Sequence, residues 1–470
     1  MRTFRGDEVT LEAARIEALG ARLRGGLLAP GAPGYDGARS LWNGMIDRRP
    51  GVIARCVGTA DVLEALRFAR EHDLLVSVKA GGHNIAGQAI CEGGLVIDVS
   101  AMRGVWVDPE RRIARAQAGC LLGDIDRETQ LHGLASVMGF VSTTGAAGVT
   151  LGGGFGYLTR RFGWTSDNLR SVEVVTADGV LRRASEGENP DLFWGLRGGG
   201  GNLGIVTGLE HALHEVGPEV VGGAIAWRGE EAPAVLDFFR GLAAQAPEDL
   251  CCVAGLRLAP PAPWLPQAVH GRPIVLVVVC HSGPVERAER ELAALKAFGS
   301  PVGDVVGRRP YLQQQALLDA TQPKGRRYYW KSEFLAGLEP EALVPLIEHA
   351  AEIPSPHSAI LLFQLGGALA RLPEDHSAMG NRDARWVLNV AAAWERPEDD
   401  GANVAWARGC WEAMRRFSSG GVYVNFLSED EQEDRTRQAY GANHARLARI
   451  KARWDPDNFF RHNKNVAPQA

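Results

Sequence analysis

The stretch VSVKAGGHNIAG, Val76 to Gly87, sets a histidine where the chain can bring it against something. An apolar run ends at Lys79, and Gly81 and Gly82 stand directly before His83 and Asn84. Paired glycines after a strand permit close backbone approach and backbone angles that other residues avoid. A titratable side chain on such a turn is either a hydrated turn residue or a group aimed at a ligand, and the stretch alone leaves both open. Two further glycine-rich stretches bear on the choice: GFVSTTGAAGVTLGGGFG (Gly139 to Gly156) and LRGGGGNLG (Leu196 to Gly204). Successive N–H groups bared by glycine form anion-binding concavities. A long ligand with two phosphates and a planar ring could use all three segments at once. Gly199-x-Gly201-x-x-Gly204 matches GxGxxG, but that motif needs a helix to follow. Here the β-branched start of IVTGLEHAL follows, and no acidic residue stands on a second strand, so a Rossmann site is excluded. No GxxxxGK[ST] is present. The seven cysteines are scattered, form no CxxC and no zinc-like spacing with histidine, so neither a disulfide framework nor a metal is expected.

The elements that must hold these residues follow from pattern. VIARCV reads as a strand, and Thr59 can cap the following helix, whose Val62, Leu66 and Ala69 share one face. LLVSVKA, GGLVIDVS and IARAQAGC read as further strands. GDIDRETQLHG reads as a helix closed by Gly133. The glycine-rich segment 139–156 is expected to be neither a stable helix nor a central strand. SVEVVTADGVLRRAS is a hairpin turning at Asp178-Gly179. Beyond residue 212 glycine thins out, and strands such as PIVLVVVC and SAILLFQLGG alternate with helices such as EALVPLIEHAAEI, the pattern of a separate α+β domain. VYVNFL, from Val422, resumes strand character, and a last helix carries Tyr440, Leu447, Ile450 and Trp454 before Pro456. The expected division is 1–212, 213–418 and 419–470, the first and last forming one domain. At 470 residues, with 45% hydrophobic and 23% charged residues, the composition is that of an ordinary globular protein. A net charge of -5 argues against nucleic acid or membrane as partner. With no apolar signal core or spanning run, a cytoplasmic location is expected.

VKAGGHN, GLVIDVS, STTGAAGVTLGGGFG, SDNLRSVEVVTADG, ENPDLFWGLRGGGGNLGIVT and WDPDNFFRHNKNVAP follow one another in order. Together they resemble the FAD-linked oxidases of the vanillyl-alcohol oxidase superfamily, in the berberine-bridge-enzyme-like branch. The resemblance implies an α+β fold: a PCMH-type FAD-binding domain with an inserted substrate domain of antiparallel sheet and helices. It implies FAD bonded covalently through His83, which raises the flavin potential. Backbone around Ala80, Gly81, Gly82 and Asn84, and around Thr144, Gly145 and Gly148, is expected to hold the pyrophosphate and ring. Gly204, Ile205 and Val206 are expected along the adenosine end, with Tyr423, Asn425 and Asn463 near the isoalloxazine. Many relatives add a cysteinyl link, but Val141 stands at that position, so no second link is expected. Many also carry YxNY, whereas this chain reads Tyr423-Val-Asn425-Phe426, which makes sugar oxidation doubtful. The pattern is similar to a single-link bacterial subgroup that includes 6-hydroxy-D-nicotine-oxidase-like enzymes and polyketide-tailoring flavin oxygenases. Only Gln364 stands where amine-oxidising relatives carry charge, so a nicotine-like amine is not supported.

Three activities remain. In an oxidase, hydride passes from the substrate to flavin N5 and O2 is the acceptor; Tyr423 is the first choice of base, then Tyr329 or Lys331 in GRRYYWKS. An oxygenase would insert oxygen into a polyketide-like substrate, with Thr144 as a donor to bound oxygen, and label from 18O2 in the product separates the two. A flavin scaffold without redox turnover is the third. The expected partners are a small molecule and O2, the chain being a monomer or homodimer. The aromatic residues Trp330, Phe363, Trp386 and Trp394 of the insert supply core, and some of them a pocket wall.

Overall fold

A computed structural model describes residues 1–431 and 433–469. The apolar runs at the start form a four-stranded sheet in the order Leu27–Leu28, Val52–Arg55, Leu95–Asp98, Val76–Lys79. The last three are parallel, and helix Thr59–Glu71 makes the crossover. Its apolar stripe, Val62, Leu66 and Ala69 included, is buried, as the 3.6-residue spacing requires. Thr59 does not cap it. Gly58 is the N-cap, and the Asp61 carboxylate instead accepts the N–H groups of Val57 (2.9 Å) and Arg24 (3.0 Å).

A second, antiparallel sheet has the order Val105–Asp108, Ile113–Gln117, Ile205–Ala212, Leu169–Val175, Leu181–Ser185. The Asp178-Gly179 hairpin turns as expected, with Gly179 at φ 76°. Strand Ile205–Ala212 directly follows the second glycine cluster, so no helix N-terminus faces it. The first cluster differs from expectation. Ala146–Leu151 is a helix of six residues, because its small side chains let it pack at once against neighbouring backbone, and Thr150 Oγ1 donates to the Ala146 carbonyl at 2.8 Å.

The inserted sheet runs Gly303–Asp304, Glu219–Arg228, Pro273–His281, Leu250–Leu258, Ala359–Gln364, Trp386–Trp394, Arg327–Leu335, with Gly307–Pro310 also paired to Glu219–Arg228. All its pairings are antiparallel. Helices Ala232–Gln245, Pro340–Ala351 and Asp400–Met414 cover one face. The other faces the N-terminal half. His214–Glu215, just past residue 212, still pairs with Leu134–Ala135 of the N-terminal part. Buried Arg160 joins the halves, donating to the carbonyls of Leu250 (2.9 Å), Leu365 (2.6 Å) and Ala246 (2.8 Å).

After Val422 the chain forms no strand. Residues 424–426 make a single 3-10 turn, which frees Asn425 to reach across to the short helix. The last helix is two, Glu433–Tyr440 and His444–Trp454, broken where Gly441 takes φ +50°. All seven cysteines are free and buried, and among the described residues no helix is long and apolar enough to cross a membrane and no metal-binding cluster occurs.

Burial lowers the pKa of His211 to about 4, and burial with nearby arginines does the same to His214. Between pH 6.5 and about 4 the unfolded chain therefore binds protons that the native state refuses. The urea midpoint is expected to fall as pH drops through this window, less steeply in His211→Leu; equal slopes would contradict it.

Candidate functional site

The His83 turn is positioned by contact between two glycines. A Cβ on Gly81 would lie 2.5 Å from the Gly145 nitrogen, and one on Gly145 would lie 2.7 Å from that of Gly81. No side chain fits at either place, so the turn after Val76–Lys79 and the start of the short helix meet backbone to backbone. Gly82, at φ +69°, then turns His83 into a cavity of about 410 Å³. Trp42 stacks near-parallel on the His83 imidazole (5.2 Å, 16°) and on the Tyr328 ring (3.7 Å, 12°). Asn43 fixes this arrangement. Its amide donates to the carbonyls of Ile85 and Tyr328, both at 3.0 Å, and accepts the Tyr328 N–H at 3.1 Å. Burial, with Lys324 nearby, lowers the His83 pKa to about 4, so at neutral pH the imidazole is uncharged.

Every residue expected to touch the cofactor lines this one cavity: Ala80 to Asn84, Thr144, Gly145, Gly148, Gly204 to Val206, Tyr423, Asn425 and Asn463. Asn425 Nδ2 reaches the Val149 carbonyl (3.4 Å) and the Tyr423 hydroxyl (2.9 Å), which also accepts the Gly154 N–H at 3.1 Å. The second glycine cluster is held by the tail. Asn463 donates to the Gly201 carbonyl (3.0 Å), and fully buried Lys451 bridges the Asn202 carbonyl (2.6 Å), the Phe460 carbonyl (2.9 Å) and Asp455 (2.6 Å).

Tyr329 and Lys331 are not in the cavity. Successive residues of a strand face opposite sides, and on Arg327–Leu335 it is Trp330 that faces inward. Tyr329 donates to Asp430 (2.7 Å) and Lys331 to Glu431 (2.7 Å) behind the sheet, so neither is placed as a base. Gln364 likewise faces the helices, donating to the Ala243 carbonyl at 2.6 Å, while Ala359, Leu361 and Phe363 of its strand face the cavity. Trp386 and Trp394 belong to the helix-side core, whereas Trp330 and Phe363 are pocket wall. Tyr423 has the position of a base but not the charge: burial raises its pKa to about 12, so it keeps its proton at neutral pH. Trp42 and Asn43, which open WNGMIDRRPGVIARC, had no role assigned from sequence; a tryptophan beside an asparagine in a loop carries no periodic signal.

The residues present fit FAD. A Cβ on Gly148 would meet nothing within 4 Å, leaving backbone open to a ligand, and Asn463 Oδ1 is buried without a partner beside Gly201. No cysteine lines the cavity among the described residues.

Residues 50–185 match the FAD binding domain, and residues 422–467 match the berberine and berberine-like segment. Cavity and matches together define an FAD-dependent oxidoreductase. The chain is 31% identical over 460 residues to (R)-6-hydroxynicotine oxidase of Paenarthrobacter nicotinovorans, covering 95% of this chain and 97% of that one. It is 28% identical to aclacinomycin-N/aclacinomycin-A oxidase of Streptomyces galilaeus, over 91% of this chain and 87% of that one. The crystal structure of 6-hydroxy-D-nicotine oxidase from Arthrobacter nicotinovorans superposes with a TM-score of 0.84 at 28% identity, covering 95% and 98% of the two chains. The chain belongs to the berberine-bridge-enzyme-like family of FAD-linked oxidoreductases.

Gly148→Leu would place a side chain whose Cβ meets no protein atom within 4 Å into the cavity. Flavin content should fall about tenfold or more with far-UV circular dichroism unchanged; full flavin content would show that no cofactor lies there.

Proposed function

We propose that the protein is an oxidase acting on a flat, mostly apolar small molecule, with FAD attached through His83 alone. The observation that carries this reading is the uncharged imidazole of His83, stacked on Trp42 and delivered into the cavity that the expected cofactor-binding residues share. A neutral ring nitrogen keeps the lone pair that bonding to a carbon at the ring edge requires. When bound, FAD would supply a ring that accepts a hydride, one proton with two electrons, from a substrate C–H and passes the two electrons, with two protons, to O2 to give H2O2. Trp42 and Asn43 would hold the imidazole in position for bonding to the ring, and the backbone contact of Gly81 with Gly145 closes the wall beside it. Tyr423 orients the substrate: its oxygen already accepts from Gly154 and Asn425, which leaves its proton to donate. Thr144 lines the same cavity and supports an oxygenase as the second reading. The apolar cavity face of strand Ala359–Gln364 offers no counter-charge to an amine, so an amine substrate is not favoured.

Acid-precipitated protein should give a yellow pellet. His83→Ala should give a white one with flavin in the supernatant and the fold intact, and a white wild-type pellet would overturn the tether. Tyr423→Phe should slow flavin reduction by no more than about threefold, with a rate flat from pH 7 to 9; a base would cost about 100-fold or more, with a rate that climbs as pH rises toward its pKa.

A further inference from the structure

The cavity face of the inserted sheet can be read row by row from its register. In one row Arg257 pairs with Ala359, Ala359 with Ala391, and Ala391 with Trp330. In the next, Gly255 pairs with Leu361 and Leu361 with Asn389. The small residues Ala359 and Ala391 make a shallow floor, walled at one end by Trp330 beside the His83–Trp42 stack. At the other end, three strand spacings or about 14 Å across the sheet, stands Arg257.

Arg257 is half-buried and lines the cavity, yet among the described residues no carboxylate lies within ion-pair distance of it. Its guanidinium donates only to the backbone carbonyls of Leu258 (3.2 Å) and Pro356 (3.4 Å). The nearest charges do not compensate it. Arg326 and His357 share the single carboxylate of Glu395, at 3.8 Å and 3.2 Å, and that carboxylate is largely exposed. Burial and the Arg326 charge both act against the Arg257 cation, lowering its pKa. Two guanidiniums against one exposed carboxylate leave this end of a mostly apolar cavity positive. A cation withdrawn from water without a counter-ion is costly, and the cost is recovered when an anion arrives. Arginine's planar fork suits a carboxylate, which it can hold through two parallel hydrogen bonds. Asn389 adds a second polar point on the floor, where its buried Oδ1 lacks a partner.

We propose that Arg257 is a specificity residue that selects substrates carrying a carboxylate at the end remote from the oxidised carbon. The proposal rests on the oxidase reading, since it takes the His83 end as the reacting end. The substrate class is therefore an elongated, planar aryl carboxylic acid, with its acid on Arg257, its rings over Ala359 and Ala391, and a donor group near Asn389.

The test uses flavin-loaded protein and calorimetric titration with paired probes: biphenyl-4-, naphthalene-2- and anthraquinone-2-carboxylate, each beside its neutral carboxamide. For at least one pair the acid should bind wild-type protein about tenfold or more tightly than the amide. Arg257→Leu should abolish that preference while leaving amide affinity and flavin content unchanged, and Arg257→Lys should restore part of it. Equal affinities within every pair, no binding of any probe, or a preference surviving in Arg257→Leu would each overturn the proposal. The visible flavin band is read separately. If it is missing from the purified wild type, the oxidase reading falls, whereas the acid preference stands or falls on the titrations.

Discussion

The site depends on the contact between Gly81 and Gly145, where no atom beyond hydrogen separates two backbones. One glycine ends the parallel sheet of the N-terminal part, and the other starts the short helix of the first glycine-rich segment. Their meeting fixes the distance from His83 to Thr144 and Gly148 without a side chain intervening. Any larger residue at either position would push the two walls apart and leave the histidine delivered to the wrong place. Glycine here gives up the conformational freedom it has in the unfolded chain, a cost that a short-range approach to a ligand can justify.

The inserted sheet sorts its residues by parity. On strand Arg327–Leu335, Trp330 belongs to the cavity while Tyr329 and Lys331 belong to a charged seam with Asp430, Glu431 and Arg408. That seam ties the sheet to the C-terminal segment, so the same strand builds the cavity wall on one side and this joint on the other. The joint is charged and the wall apolar, and one residue of register shift would exchange them.

Much of this was legible in the sequence. Three glycine clusters in one half of the chain allowed a single large ligand, since close backbone approach leaves a residue signature, and the family resemblance carried by the ordered motifs made that ligand FAD. The β-branched start after Gly204 correctly excluded a Rossmann helix. Other features were hidden for physical reasons. Strand Arg327–Leu335 carries aromatic residues on both faces, so the sequence does not tell which face meets the cavity, and Tyr329 and Lys331, the second choices of base, lie behind the sheet. The six-residue helix at Ala146–Leu151 defies glycine's propensity because tertiary packing outweighs it. Trp42 and Asn43 act from a loop, through partners nearly 290 residues away, at a separation of 285 for Asn43 and Tyr328.

The clamp at Lys451 has a consequence for biosynthesis. It draws the glycine cluster around Asn202 to residues 455–460, and Asn463 closes on Gly201 from the same tail. The N-terminal strands can fold as they leave the ribosome, but the glycine cluster at this wall of the cavity is not held until residues beyond 450 have been made. Closure of the cavity is therefore a late event in the life of each chain, and a translation product truncated in the tail would be a folded sheet with that wall open.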